Sequence, residues 1–235
     1  MVDGSIDGLR RVRAPRGSGE LLRDEILDAA TKLLLETGHA RSVSIRSVAQ
    51  RVGVTPPSIY LHFADKDALM DAVCARYFEK LDPEMRRLAT LHTSPVEVQR
   101  AQGRAYVRFA VQTPELYRIA TMGEWRSGSS VDTTLNSSAF KHIRATVQKL
   151  MDDGTYQPDD PTTVALELWS TVHGVAAMLI AKPHLPFGDA EAFVDRVMSS
   201  VFCGQLVLGY CGRDATPQML AAWVTAHRPS GEAPI

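Results

Sequence analysis

The stretch Ser44-Ile45-Arg46-Ser47-Val48-Ala49-Gln50-Arg51-Val52-Gly53-Val54-Thr55-Pro56-Pro57-Ser58-Ile59-Tyr60-Leu61-His62-Phe63-Ala64-Asp65-Lys66 decides how the chain is read. Ser44 is a helix cap, and Ile45, Val48, Ala49 and Val52 follow the i, i+3, i+4, i+7 spacing of one buried helical face. Gly53 stops that helix, since glycine takes the left-handed conformation at no steric cost. Thr55 then caps a second helix with Pro56 in its first turn, where a missing N–H is harmless, and the segment through Ser58, Ile59, Tyr60 and Leu61 lasts barely two turns. Two short helices across a Gly53-Val54 turn are a helix-turn-helix in the DNA-binding sense, whose second helix lies in the major groove. Such a helix must be pinned from behind. Ile59 and Phe63 are expected to pin it against Val48, Ala49 and Val52, leaving Thr55, Pro56, Ser58, Tyr60 and His62 to the groove or its rim.

Upstream, Leu22, Ile26, Ala29 and Leu33 share a face from Glu20 until Gly38, which predicts a preceding helix. Residues 1–18 hold little to bury and four arginines, Arg10, Arg11, Arg13 and Arg16, so a flexible basic arm is expected there, either dangling or reaching a minor groove. Downstream, Asp65 caps a further helix with Leu69, Val73, Tyr77 and Leu81 at helical spacing, which Asp82-Pro83 ends or kinks. Beyond it no segment alternates with period two. Helices are expected near 95–112, 114–122, 139–152, 161–181, 190–210 and 217–226, making the chain all-α. The expected organisation is the arm (1–18), a helix-turn-helix DNA-binding domain (19–66), a larger helical regulatory and dimerisation domain (67–227) with 67–82 as connector, and a flexible tail (228–235).

The Ala49-x-x-x-Gly53-Val54-Thr55 turn, Ile59-Tyr60-x-His62-Phe63, and Asp65-Lys66 followed by Leu69 together resemble the tetracycline-repressor family of bacterial regulators over roughly residues 24–70. The resemblance implies that Thr55, Pro57, Ser58, Tyr60 and His62 sit where the family touches operator DNA. It puts Lys66 where the family binds a phosphate, and Arg46 facing the backbone. Pro56 stands where many relatives carry a polar base reader, and Leu61 is also apolar. Readout is therefore expected through Thr55, Ser58 and Tyr60 plus apolar contacts to thymine methyls, with phosphate contacts carrying much of the affinity. Arg41, Arg46 and Arg51 are either phosphate contacts or an ordinary solvated face.

In the C-terminal half, Val164, Leu168, Val172, Val175 and Leu179 share a register with Phe193, Val197, Val201, Gly204 and Leu208. Apolar residues off both stripes make these faces wider than one neighbour requires, and small residues such as Gly174 and Gly204 permit close approach. A symmetric four-helix interface between two copies, hence a homodimer, is expected. Tyr106, Phe109, Tyr117, Trp125, Trp169 and His173 are the bulky groups expected to line a cavity for a small apolar or amphipathic effector. Trp169-Ser-Thr-Val-His173-Gly174 resembles the Trp/His-Gly signature of one C-terminal subtype of the family.

Bulk properties agree with a DNA-binding regulator, for which a repressor released by its effector is the expected form. The formal net charge is -1, but from Arg10 to Lys66 ten Lys/Arg face six Asp/Glu, a net of +4. Three cysteines without a CxxC pair suit buried thiols in a reducing cytosol. The longest apolar run, Val175 to Ala181, and an N-terminus lacking a signal-peptide core lead to the expectation of a cytoplasmic, nucleoid-associated protein with no membrane partner. An enzyme is not expected. The one Glu-x-x-His, Glu36 to His39, straddles a glycine stop and has no twin for a bridged metal site, and no phosphate loop or nucleophile elbow occurs. Neither a metal nor a cofactor is expected.

Overall fold

The computed structural model describes residues 18–122 and 137–228, and every regular element among them is helical. The order is α1 (Ser18–Thr37), a 3₁₀ turn (Ala40–Ser42), α2 (Ile45–Val52), α3 (Pro56–Tyr60), α4 (Lys66–Glu79), α5 (Asp82–Leu91), α6 (Pro95–Gln112) and α7 (Pro114–Met122). Then follow α8 (Ser138–Asp152), α9 (Pro161–Ala181), α10 (Ala190–Cys211) and α11 (Pro217–Ala226). The arginine-bearing arm up to residue 17, Trp125 and the tail from residue 229 lie outside the described residues.

One helix was not legible from the sequence. Asp82-Pro83 does not simply end the fourth helix, because α5 begins there. Leu81 keeps helical dihedrals (φ -84°, ψ -21°), Pro83 falls in a first turn where its missing N–H is harmless, and Met85 and Leu88 give the new helix a buried face.

The chain divides into two compact units. The first holds α1 to α4 and also α7. Its core joins Ile26, Ala30 and Leu34 of α1 to Val48 of α2, Ile59 of α3, Phe63, and Leu69 and Val73 of α4, with Ile119 of α7 packed alongside. Asp65 caps α4 by accepting from the Ala68 N–H at 2.7 Å. The unit thus runs past residue 66 because α4 supplies part of the core that α1 to α3 need.

Cys74 is buried in this unit, whereas Cys203 is exposed, so the expectation of three buried thiols holds for only one. Burial pushes the Cys74 thiol up to about 12. Thiolate is the reactive form, so at neutral pH a soluble alkylating reagent should label Cys203 first and Cys74 only after unfolding. Mass mapping of the alkylated peptides checks this.

The second unit contains α5, α6 and α8 to α11. Helix α9 packs on α8, α6 and α10. Its stripe of Val164, Leu168, Val172 and Val175 is buried within the protomer. The corresponding stripe of α10 is not. There the protomer buries Val194, Met198 and Gln205, and leaves Phe193, Val197, Val201 and Leu208 half-exposed and Gly204 exposed. Both helices are long and apolar enough to cross a membrane by length and composition alone. The same two properties mark a helix that needs a second apolar partner, as α10 does here.

Candidate nucleic-acid interface

The turn between α2 and α3 is built by local hydrogen bonding. The Ser44 hydroxyl accepts from Ser47 N at 3.0 Å, while the Ser47 hydroxyl accepts from Ser44 N at 2.9 Å, a capping box with serine in place of the usual Glu or Gln. At the other end Gly53 takes φ 78°, donating to Ala49 O, and Val54 N donates to Ala49 O at 3.0 Å. These bonds satisfy carbonyls that the end of α2 would orphan, and they set the angle at which the chain enters α3.

Helix α3 is only five residues long, too short to persist alone, so packing decides its position. Ile59 is 0% exposed and Phe63 4%, against Val48 at 0% and Ala49 at 1%. The pin predicted from the sequence is therefore present, reinforced by the Arg23 guanidinium 5.2 Å from the Phe63 ring centroid. Outward, Thr55, Pro56, Pro57, Tyr60 and Leu61 are exposed, and Ser58 and His62 are partly so. The Thr55 and Ser58 hydroxyls lie 3.1 Å apart, one polar spot at the start of the helix. Leu61 is the most exposed large apolar side chain of this row, at 85%. A ridge of this composition offers few direct hydrogen-bond donors to bases and more apolar surface than most groove readers.

The cations sort into two groups. Arg51 is locked onto Glu36 through two 2.6 Å bonds, and its guanidinium holds Glu36 below the usual carboxylate range. Arg51 is thus a structural tie between α2 and α1. Lys66 lies beside the 3₁₀ turn, its Nζ 3.4 Å from the Arg41 carbonyl, which brings two cationic residues from separate segments together at the start of α4. Arg46 is exposed on α2.

Residues 26–73 match the model of bacterial regulatory proteins of the tetR family, and residues 99–201 match the tetracyclin repressor-like C-terminal domain. The chain belongs to the tetracycline-repressor family. Among relatives in this family, the class D tetracycline repressor of Escherichia coli is 42% identical over 53 residues, 23% of this chain and 24% of that one. An uncharacterized HTH-type transcriptional regulator of Mycobacterium tuberculosis is 29% identical over 110 residues, 46% of either chain. The matched part of this chain thus spans less than half the length of either relative. YobS of Bacillus subtilis, another uncharacterized HTH-type regulator, is 26% identical over 69% of this chain and 80% of its own. These relatives are transcriptional regulators, not enzymes.

Solved structures share the fold. A protein of unknown function from Rhodococcus sp. RHA1 superposes with a TM-score of 0.66 at 24% identity, covering 79% of this chain and 95% of that one. The regulator FadR of Bacillus subtilis in complex with stearoyl-CoA gives 0.64 at 13% identity, covering 77% and 98%.

In the second unit of this tetracycline-repressor relative, part of the predicted effector set comes together. The Tyr106 hydroxyl lies 3.5 Å from His173 Nδ1, and the Trp169 and His173 rings stack at 5.0 Å. Burial pushes the imidazole below its ordinary value, favouring the neutral ring. Phe109 is half-buried on α6. Tyr117 belongs to the first unit, on α7, and is 1% exposed.

Two polar residues of α6 escaped the sequence reading. Gln99 and Gln102, 6% and 2% exposed, sit one turn apart on the face that also buries Val98, Ala105 and Tyr106. Tyr156 donates to Gln99 Oε1 at 2.9 Å and Thr146 to Gln102 Oε1 at 3.0 Å, while Nε2 of each glutamine has no partner. An amide left so costs about 1–3 kcal/mol, which an apolar side chain there would not. The signal was available: glutamine at core positions of an otherwise apolar stripe.

Proposed function

We propose that the protein is a repressor that binds a pseudo-palindromic operator in double-stranded DNA as a homodimer and is released by a small apolar or amphipathic effector. The observation that carries the reading is α3, a five-residue helix anchored by buried Ile59 that turns Thr55, Pro57, Tyr60 and Leu61 outward. Thr55, Ser58 and Tyr60 read bases. Pro57 and His62 pack against the groove wall, and Lys66 and Arg46 hold phosphates. The 42% identity to a tetracycline repressor over 53 residues supports repression.

The half-exposed apolar stripe of α10, with α9 beside it, forms the dimer face, and its two-fold axis is mirrored in the operator. Tyr106, Phe109, Trp169 and His173 belong to the effector-responsive unit, whose C-terminal helices are of the Trp/His-Gly subtype; Tyr117 and Trp125 complete the set if they close over a ligand. An effector bound better by the conformer with misplaced α3 helices lowers operator affinity by the same free energy. The protein works in the cytoplasm, at the nucleoid.

Retention of genomic fragments by the purified protein, followed by sequencing, tests the reading. A short palindrome is expected. Tyr60→Ala should relax the sequence preference, losing about 1–3 kcal/mol on the site. Lys66→Ala should instead weaken all sequences alike and flatten the log-log salt slope by about 0.9, the value of one phosphate contact. Sequence-blind retention by a folded dimer would reject the operator claim.

A further inference from the structure

A cleft of about 60 Å³ opens in the second unit between α6 and α10, lined by Val96, Gln99, Arg100, Met198, Ser199 and Phe202. Three properties of its lining combine. Most of the surface is apolar, from Val96, Met198 and Phe202, and Phe202 is backed by the Tyr156 ring at 5.8 Å. Gln99 contributes an amide whose oxygen is already taken by Tyr156 while its Nε2 is buried without a partner. Arg100 stands at the exposed side of the cleft, bound to Asp195 at 2.9 and 2.8 Å. Arg104 holds the same carboxylate, so two guanidinium groups share one acid and a formal charge of +1 is left over. Those bonds use two of the five N–H groups of Arg100.

An unmet N–H donor beside excess positive charge calls for an anionic oxygen acceptor, and the apolar walls call for a hydrocarbon attached to it. Size limits what enters. A cavity of about 150 Å³ holds benzene, so this cleft takes a head group and a few carbons, with any longer tail lying over the rim. We propose that the cleft binds a small carboxylate with an apolar tail, its carboxylate accepting from Gln99 Nε2 and Arg100 while the first carbons lie on Val96, Met198 and Phe202. That this ligand is the effector rests on the regulatory reading above; that it binds does not.

Butyrate, with butyramide as its neutral counterpart, is the probe. In ¹H–¹⁵N spectra of the full chain, butyrate should shift the Gln99 side-chain amide saturably, and Gln99→Leu should abolish binding. Because Gln99→Leu alters the core, Arg100→Gln is the second variant: it leaves Asp195 paired with Arg104. It should weaken butyrate about tenfold, the loss of one charge-assisted hydrogen bond, and leave butyramide unchanged. A Gln99 amide unmoved by millimolar butyrate overturns the proposal. So does equal binding of butyrate to wild type and Arg100→Gln, or a dimer structure with the partner copy filling the cleft. Operator affinity is measured on the same proteins. Intact operator recognition without butyrate binding removes this site and leaves the regulator, whereas saturable butyrate binding by a protein with no operator preference keeps the site and removes its regulatory meaning.

Discussion

Ile59→Ala is expected to destabilise the first unit by about 2–5 kcal/mol, the range for truncating a fully buried isoleucine, and to lower its thermal midpoint by about 10 °C or more. The side chain is 0% exposed and sits among Val48, Ala49 and Phe63, each under 5% exposed, so little room exists for collapse around the lost atoms. The effect on DNA should exceed the effect on stability. Helix α3 has five residues and no side-chain cap at Thr55, so nothing local holds it once Ile59 is shortened. Operator affinity should fall even well below the midpoint, where the unit is still folded. Leu61→Ala is the control: with Leu61 85% exposed, stability should not change, while contact with DNA should weaken. Thermal melts followed by circular dichroism, paired with operator titrations, separate the two. An unchanged midpoint for Ile59→Ala would mean that α3 is held by something other than its buried face.

The reason Ile59 was legible in advance also explains what was not. Spacing fixes which residues of a short helix face inward, so Ile45, Val48, Ala49, Ile59 and Phe63 followed from the sequence, as did Gly53 as the stop. Local chemistry carried most helix boundaries as well, through Ser44, Asp65, Asp160, Asp189 and Thr216 as caps. Asp82-Pro83 misled because the same proline that breaks one helix starts another, and only burial of Met85 and Leu88 distinguishes the cases. The partners of Arg51 and Gln99 were invisible for a different reason. Arg51 meets Glu36 across 15 residues and Gln99 meets Tyr156 across 57, and no periodicity encodes such pairings.

Gly204→Glu should leave the protomer folded and abolish the dimer. Gly204 is exposed on α10, and a Cβ built there meets no atom within 4 Å, so the protomer has room for a side chain. Replacing a mid-helix glycine should even favour the helix by about 0.5–1 kcal/mol. The proposed dimer face is a different environment. Val197, Val201 and Leu208 flank the site along the same stripe, and a two-fold axis brings in the new carboxylate twice. An unpaired charge buried there costs about 3–5 kcal/mol, enough to raise the dimer dissociation constant 100-fold or more. Analytical ultracentrifugation should therefore find monomers with an unchanged helical spectrum, and binding to the palindrome should fall to the affinity of a single half-site. If the variant stays dimeric, the two copies meet elsewhere and the open stripe of α10 serves another partner. If it is monomeric and still soluble, the apolarity that gives α9 and α10 the composition of membrane spans is accounted for by a second copy of the chain.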